Sequence, residues 1–319
     1  QVHFGQRKDG RKIAVKIQYP GIRRSIDSDV DNIATLLRVS GLLPTSLDIK
    51  PLLDEAKKQL HDEADYCREG ACMMQFSSLL ADADEFMVPE MHADLTTENI
   101  LAMTRLEGDA VETLIHLPQA ERDRIVSQLF RLLFREIFEF RLIQTDPNFA
   151  NYRYAAASQQ LILLDFGATR AYPAAMVDSY RRLMSSAIRN DRQEMNEAAM
   201  AIGYFEQDIR EGQRQAVLNI FALACEPLSH AGEYDFGRSD LGARIRDAGM
   251  MLGMDRDFWH TPPADALFLH RKLGGLYLLA ARLKACVNMQ EVAVASGLTS
   301  NTVQPRSNLK FNHFLTECP

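Results

Sequence analysis

Along the first seventeen residues, apolar and polar positions alternate. "QVHFGQ" and "RKIAVKIQ" flank Asp9-Gly10, and Ile13, Val15 and Ile17 recur at steps of two. A period of two belongs to a strand with one buried face, and Asp-Gly between two such runs predicts a tight hairpin. Ala14 and Lys16 then share the opposite face, where a small side chain and an ammonium look out together. The period changes to three and four over Ile22–Val39 and again over a longer stretch, 49–80, where Leu60, Ala64, Cys67 and Ala71 form an inward stripe of one amphipathic helix. Strand-like sequence returns in "FMVPEMH" and "ENILAMTRLEG", where "ILAMT" leads into a connector closed by Gly108. Beyond it the pattern is helical almost throughout, interrupted by "RLIQTDPNFANY" and the short apolar run "QLILLDFG". After Gln290 the periodicity weakens and Ser, Thr and Asn accumulate, which predicts a loosely packed tail.

Composition narrows the class. With 46% hydrophobic and 25% charged positions, 319 residues suffice for a sizeable core in one large domain or two lobes. A net charge of -7, with no Lys/Arg stripe interleaved with aromatics, gives a nucleic-acid surface no electrostatic footing. The five cysteines are odd in number and lack close metal-type pairing, the usage of reduced thiols in an intracellular compartment. The longest apolar run, "IVSQLFRLLFREIFEF", is interrupted by Arg131, Arg135 and Glu136, short of the roughly 20 uncharged residues that a bilayer crossing requires. A start at Gln1 in strand-like sequence reads as a fragment of a longer chain.

The chemistry lies in the interruptions. Pro147 lacks an amide donor and cannot continue a helix, so Asp146, Asn148 and Asn151 form a loop between rigid elements. Asp146 and Asn151 have the spacing D-x-x-x-x-N, and Asp165-Phe166-Gly167 follows about fourteen residues later, after an apolar strand. With the strand lysine Lys16 and helix carboxylates upstream, this is the order of a phosphoryl-transfer site. Such chemistry needs charge neutralised around a phosphate and an attacking oxygen held in line. Asp165 is a hard anionic ligand for Mg²⁺, and Asn151 supplies a neutral oxygen to a second ion. Asp146 accepts a proton or orients the acceptor, whether hydroxyl or water. Lys16 neutralises phosphate charge, Ala14 lies against adenine, and the connector at Arg105 and Leu106 offers groups to the base. A turn alone explains Asp146 and Asn148, but not a lysine of the right parity upstream together with an aspartate after an apolar strand downstream. Composition leaves Glu55, Glu63 and Glu69 open as the lysine's partner.

The segments "IAVKIQYPGI", "DEADYCREGA", "QTDPNFANY", "LLDFGATR" and "LHRKLGG" together resemble the UbiB family of atypical kinase-like proteins, which support coenzyme Q biosynthesis, over roughly residues 1–288. The resemblance implies an α+β, two-lobed protein-kinase-like fold. Its N-lobe would cover 1–105, with a small sheet and inserted helices, its helical C-lobe 106–288, and a tail 289–319. It implies ATP and Mg²⁺ as cofactors, Glu63 as the carboxylate that pairs with Lys16, and Glu69 as a second carboxylate near the nucleotide. It also implies an upstream alanine-rich loop and a K-x-G-Q segment before Gln1. The partners implied are an isoprenoid lipid or quinone precursor, an anionic membrane surface and other ubiquinone biosynthesis proteins. The implied location is peripheral, on the cytoplasmic face of a bacterial membrane or the matrix side in mitochondria. The basic amphipathic stretch around "LHRKLGG" is either a lipid contact or a packed helix of the second lobe. Two other classes are weighed against the enzyme: a nucleotide-gated, non-catalytic isoprenoid-lipid-binding scaffold, and a small-molecule phosphotransferase of kinase-like fold, against which Thr145 and "DFG" stand.

Overall fold

The hairpin forms around Gly10, whose φ of 88° is open to a residue without a Cβ, in the computed structural model, which describes residues 1–39, 49–254 and 262–298. Its strands are β1 (Val2–Gln6) and β2 (Lys12–Ile17), antiparallel, with Val2 opposite Lys16 and Gln6 opposite Lys12. Chain contacts divide the molecule into two units. Among the described residues, one comprises 1–109 and 150–169, and the other 110–149 and 170–298.

In the first unit, α1 (Ile22–Val39), α2 (Lys50–Glu63) and α3 (Tyr66–Leu79) follow the hairpin. The single helix expected over 49–80 is therefore two. Asp65 leaves helical geometry, at φ -99° and ψ 94°, and its side chain accepts from the Arg68 amide, so it caps a new helix one residue after Ala64 ends the old one. The break changes the faces: α2 buries no residue, whereas α3 buries Tyr66, Glu69, Cys72, Met73 and Phe76. Two short segments follow, β3 (Phe86–Met87) and β4 (Ile100–Thr104). β4 joins the hairpin in the order β1-β2-β4, with Ala14 opposite Met103 and Lys16 opposite Leu101. Gly70 lets α3 approach this layer, since a Cβ there would run into the Met91 sulfur. The strands Tyr152–Ala155 and Gln160–Leu163 pair antiparallel, and β3 runs parallel to the latter. Residues 150–169 thus pack with the first unit, although the sequence reading groups them with the helical part.

The second unit is mainly helical, with helices Gln119–Arg135, Ala174–Ile188, Arg192–Ile202, Glu211–Ala224, Leu241–Met254 and Ala264–Arg282. Its core gathers around Phe130, which stacks on Phe236 at 5.6 Å and meets Tyr277 at 5.7 Å between ring centres. Helix Gln119–Arg135 widens into a π-helical turn, Glu136–Phe140, and ends at Arg141 in the left-handed region, φ 52°, before the strand Leu142–Gln144. The tail expected from 289 is packed up to Leu298: Asn288 caps the helix Met289–Ala295, whose Met289, Val292 and Ala293 are buried. The rest of that tail lies outside the described residues. Cys72, Cys225 and Cys286 are free thiols, as expected.

Candidate nucleotide site

β2 carries Lys16 and Ala14 on one face, and both line a cavity of about 790 Å³ in the first unit together with Arg105, Leu106, Asn151 and Asp165. The period-two reading of the sequence therefore places its two residues on one surface of the structure. The Lys16 ammonium lies 2.7 and 2.8 Å from the two oxygens of Glu69 and 3.1 Å from Oδ2 of Asp165. Residues separated by 53 and 149 positions in the chain thus meet at one nitrogen. The Tyr66 ring centre stands 5.5 Å from the same nitrogen, which adds a cation–π contact.

The carboxylate on Lys16 is Glu69, not Glu63. Glu69 faces inward from α3 and is 0% exposed, whereas Glu63 is exposed at the end of α2 and accepts from the Gln59 side chain at 2.8 Å. The helix break at Ala64–Asp65 accounts for the exchange, because the two glutamates belong to different helices with different buried faces. Glu69 accordingly stands behind the lysine and is absent from the cavity lining.

Glu69 also governs the electrostatics. Burial, followed by the charge of Asp165, pushes its carboxyl up to about 7, with Lys16 working in the opposite direction. For Lys16, burial works to lower the pKa, but Glu69 and Asp165 outweigh it and hold the ammonium above its ordinary range. Two carboxylates thus share one ammonium, and with Glu69 ionised, above about pH 7, the cluster carries an excess of negative charge that a bound cation would offset.

The turn bearing Asp165 is held from α3. Phe166 is buried against Phe76 with ring centres 5.0 Å apart, and Asp165 Oδ1 accepts from the Gly167 amide at 3.0 Å. Arg68, next to Glu69, donates to the Gly167 carbonyl at 2.8 Å and to the Thr169 carbonyl. One helix thereby fixes both the lysine and the Asp165 turn. The sequence reading quoted Arg68 inside "CREGA" without giving it a role; the signal available was its position beside a buried glutamate. The donors Asp165 and Asn151 are hard oxygens, and Asn151 is buried at the cavity edge. This set suits Mg²⁺, which is commonly held by one or two carboxylates with the balance from phosphate and water. Among the described residues no group of three His, Cys, Asp or Glu forms a self-sufficient metal cage. Asp146 belongs to the second unit, half-buried, with its Oδ1 accepting from the Asn148 amide at 3.3 Å in a side-chain turn.

A lysine on the central strand of a small sheet, paired to a helix glutamate beside an Asp-Phe-Gly turn, defines a protein of the kinase-like class. The family model of the ABC1 atypical kinase-like domain matches residues 1–199, and the chain belongs to that family. It is 38% identical over 296 residues to the mitochondrial atypical kinase COQ8B of Rattus norvegicus, covering 92% of this chain and 55% of that protein. It is 36% identical to coq-8 of Caenorhabditis elegans, over 90% of this chain and 38% of that one. It is 35% identical to COQ8 of Saccharomyces cerevisiae, over 90% and 58%. The chain spans about half the length of the curated relatives it matches. The solved structure of Rv3197 from Mycobacterium tuberculosis, in complex with erythromycin, is similar with a TM-score of 0.70 at 20% identity, covering 94% of this chain and 75% of that one. The fold is thus the α+β, two-lobed kinase-like fold expected from the sequence. No helix among the described residues is long and apolar enough to cross a membrane.

Proposed function

We propose that this chain carries the nucleotide site of an ATP- and Mg²⁺-dependent atypical kinase or ATPase serving coenzyme Q biosynthesis. The observation that supports this reading most directly is the meeting of Lys16, Glu69 and Asp165 within 3.1 Å at the wall of a cavity large enough for a nucleotide. Ala14 leaves room for the base, and Arg105 and Leu106 flank it. Lys16 neutralises phosphate charge, and Glu69 keeps the ammonium aimed and protonated. Asp165 and Asn151 would hold Mg²⁺, which when bound supplies charge neutralisation across the phosphates. Asp146 orients the attacking hydroxyl or water and accepts its proton. The names of the COQ8 relatives support the pathway, and with it a quinone precursor or isoprenoid lipid, an anionic membrane surface and other ubiquinone biosynthesis proteins as partners, and a peripheral mitochondrial or bacterial membrane location.

The direct test measures MgATP binding and phosphate release for the wild type and Asp165→Asn. Losing the anionic ligand lowers turnover by at least about a hundredfold, the scale of one lost electrostatic contact in such a site. Unchanged binding and hydrolysis would remove the proposal.

A further inference from the structure

The segment "LHRKLGG" takes no part in the nucleotide cavity, yet its helix, Ala264–Arg282, touches the chain on both sides of Asp146. Lys272 is 3% exposed, and its Nζ donates to the main-chain oxygen of Gln144 at 2.7 Å and to Gln144 Oε1 at 3.0 Å. The Glu136 carboxylate, 1% exposed and pushed up to about 7 by burial, lies 3.5 Å from the same ammonium. Three residues further along, on the same helical face, a methyl at Gly275 would meet the Pro147 Cβ at 2.8 Å. Gln144 stands two residues before Asp146 and Pro147 directly after it. One face of this stretch, with Leu269, Lys272, Gly275 and Leu276, is thus packed within the second unit.

A buried ammonium is costly, and a well-packed apolar residue would stabilise the same space at least as well. What a hydrophobe cannot do is fix the position of a main-chain oxygen. Lys272 fixes Gln144 through main chain and side chain together, which sets where the chain leaves its strand. Gly275 sets how closely Pro147 comes to the helix. We infer that Lys272 and Gly275 are positioning residues for Asp146, holding the loop that carries it from both sides. The inference rests on the catalytic reading of that loop.

The test uses the intact protein with two variants. Glu136→Gln combined with Lys272→Met removes both charges at nearly constant volume, so neither is left buried alone. Gly275→Ala keeps the charges and adds only the obstructing methyl. Both keep MgATP affinity within about twofold while kcat falls about 10- to 100-fold, as expected of a reacting group moved by a fraction of an ångström to one ångström. Amide exchange across 142–149 speeds up in both, and Lys272→Arg recovers part of the rate. A folded variant with wild-type turnover and unaltered exchange overturns the inference. So does a loss of nucleotide affinity in step with kcat, which marks general loosening. If the double variant fails to fold, Gly275→Ala decides alone. Asp146→Asn separates the two levels: wild-type turnover there ends the catalytic reading of the loop, while the exchange data still judge the positioning.

Discussion

Glu69 is a carboxylate whose environment disagrees with its charge. Burial lifts it from the ordinary 4.5 to about 7, so between these pH values the folded chain holds a proton that the unfolded chain has released. Stability therefore falls as pH rises through that window, by up to about 3 kcal/mol for a shift of this size, and the loss is complete above the folded value. Glu69→Gln cannot titrate, so denaturant unfolding of that variant flattens across the same window. Glu63→Gln, at an exposed position, keeps the wild-type slope and stays within about 0.5 kcal/mol of the wild type. A flat wild-type profile would show that Glu69 is not desolvated as described. Activity moves the other way: below about pH 7 Glu69 becomes neutral and releases Lys16, so turnover declines on the acid side.

α3 is the element through which the site is assembled, and it shows where the sequence was legible. The parity of Lys16 and Ala14 was readable because a strand period of two assigns faces without tertiary information, and the aspartate of the Asp-Phe-Gly turn was readable as a partner of that lysine because it follows an apolar strand. The choice among Glu55, Glu63 and Glu69 was not readable, because an apolar stripe at three- and four-residue steps runs across the break and hides it. Only Asp65, an N-cap type ahead of a new apolar face, marked the boundary. The helix after Asn288 was concealed likewise, although Asn288 and Glu291 exchange the side-chain hydrogen bonds of a capping pair. Removing the α3 cap by Asp65→Ala costs about 1 kcal/mol of stability, measurable by denaturant titration. Arg68→Met would act at a distance from the proposed Mg²⁺. It loses two charge-assisted bonds to the Gly167 and Thr169 carbonyls. Since such bonds contribute about 1.5–3 kcal/mol each, part of which bears on the turn, the Mg²⁺ concentration for half-maximal turnover rises about tenfold. An unchanged Mg²⁺ requirement in a folded Arg68→Met protein would dissociate α3 from the metal turn.

At the scale of the whole molecule, the charge balance predicts which form of a nucleotide the proposed site prefers. The chain carries a net charge of -7, and the cluster in the first unit holds two carboxylates against one ammonium. A metal-free nucleotide polyphosphate would meet that excess of negative charge with only Lys16 to offset it, and exposed charge is screened over about 8 Å at physiological salt whereas a partly buried cluster is screened less. MgATP should therefore bind much more tightly than ATP with EDTA. Because a ligand that binds only the folded state stabilises it by about 2.7 kcal/mol at a hundred times its dissociation constant, the preference is readable as a shift in the unfolding midpoint at saturating MgATP that shrinks when the metal is chelated. Asp165→Asn should weaken the metal effect. It removes an anionic oxygen that Mg²⁺ would use and also one that repels phosphate, so metal-free ATP binds the variant at least as well as the wild type while the added benefit of Mg²⁺ is largely lost. Equal midpoint shifts with and without Mg²⁺ in the wild type would mean that Lys16 alone suffices to hold the phosphates, and that the excess negative charge around it has another purpose.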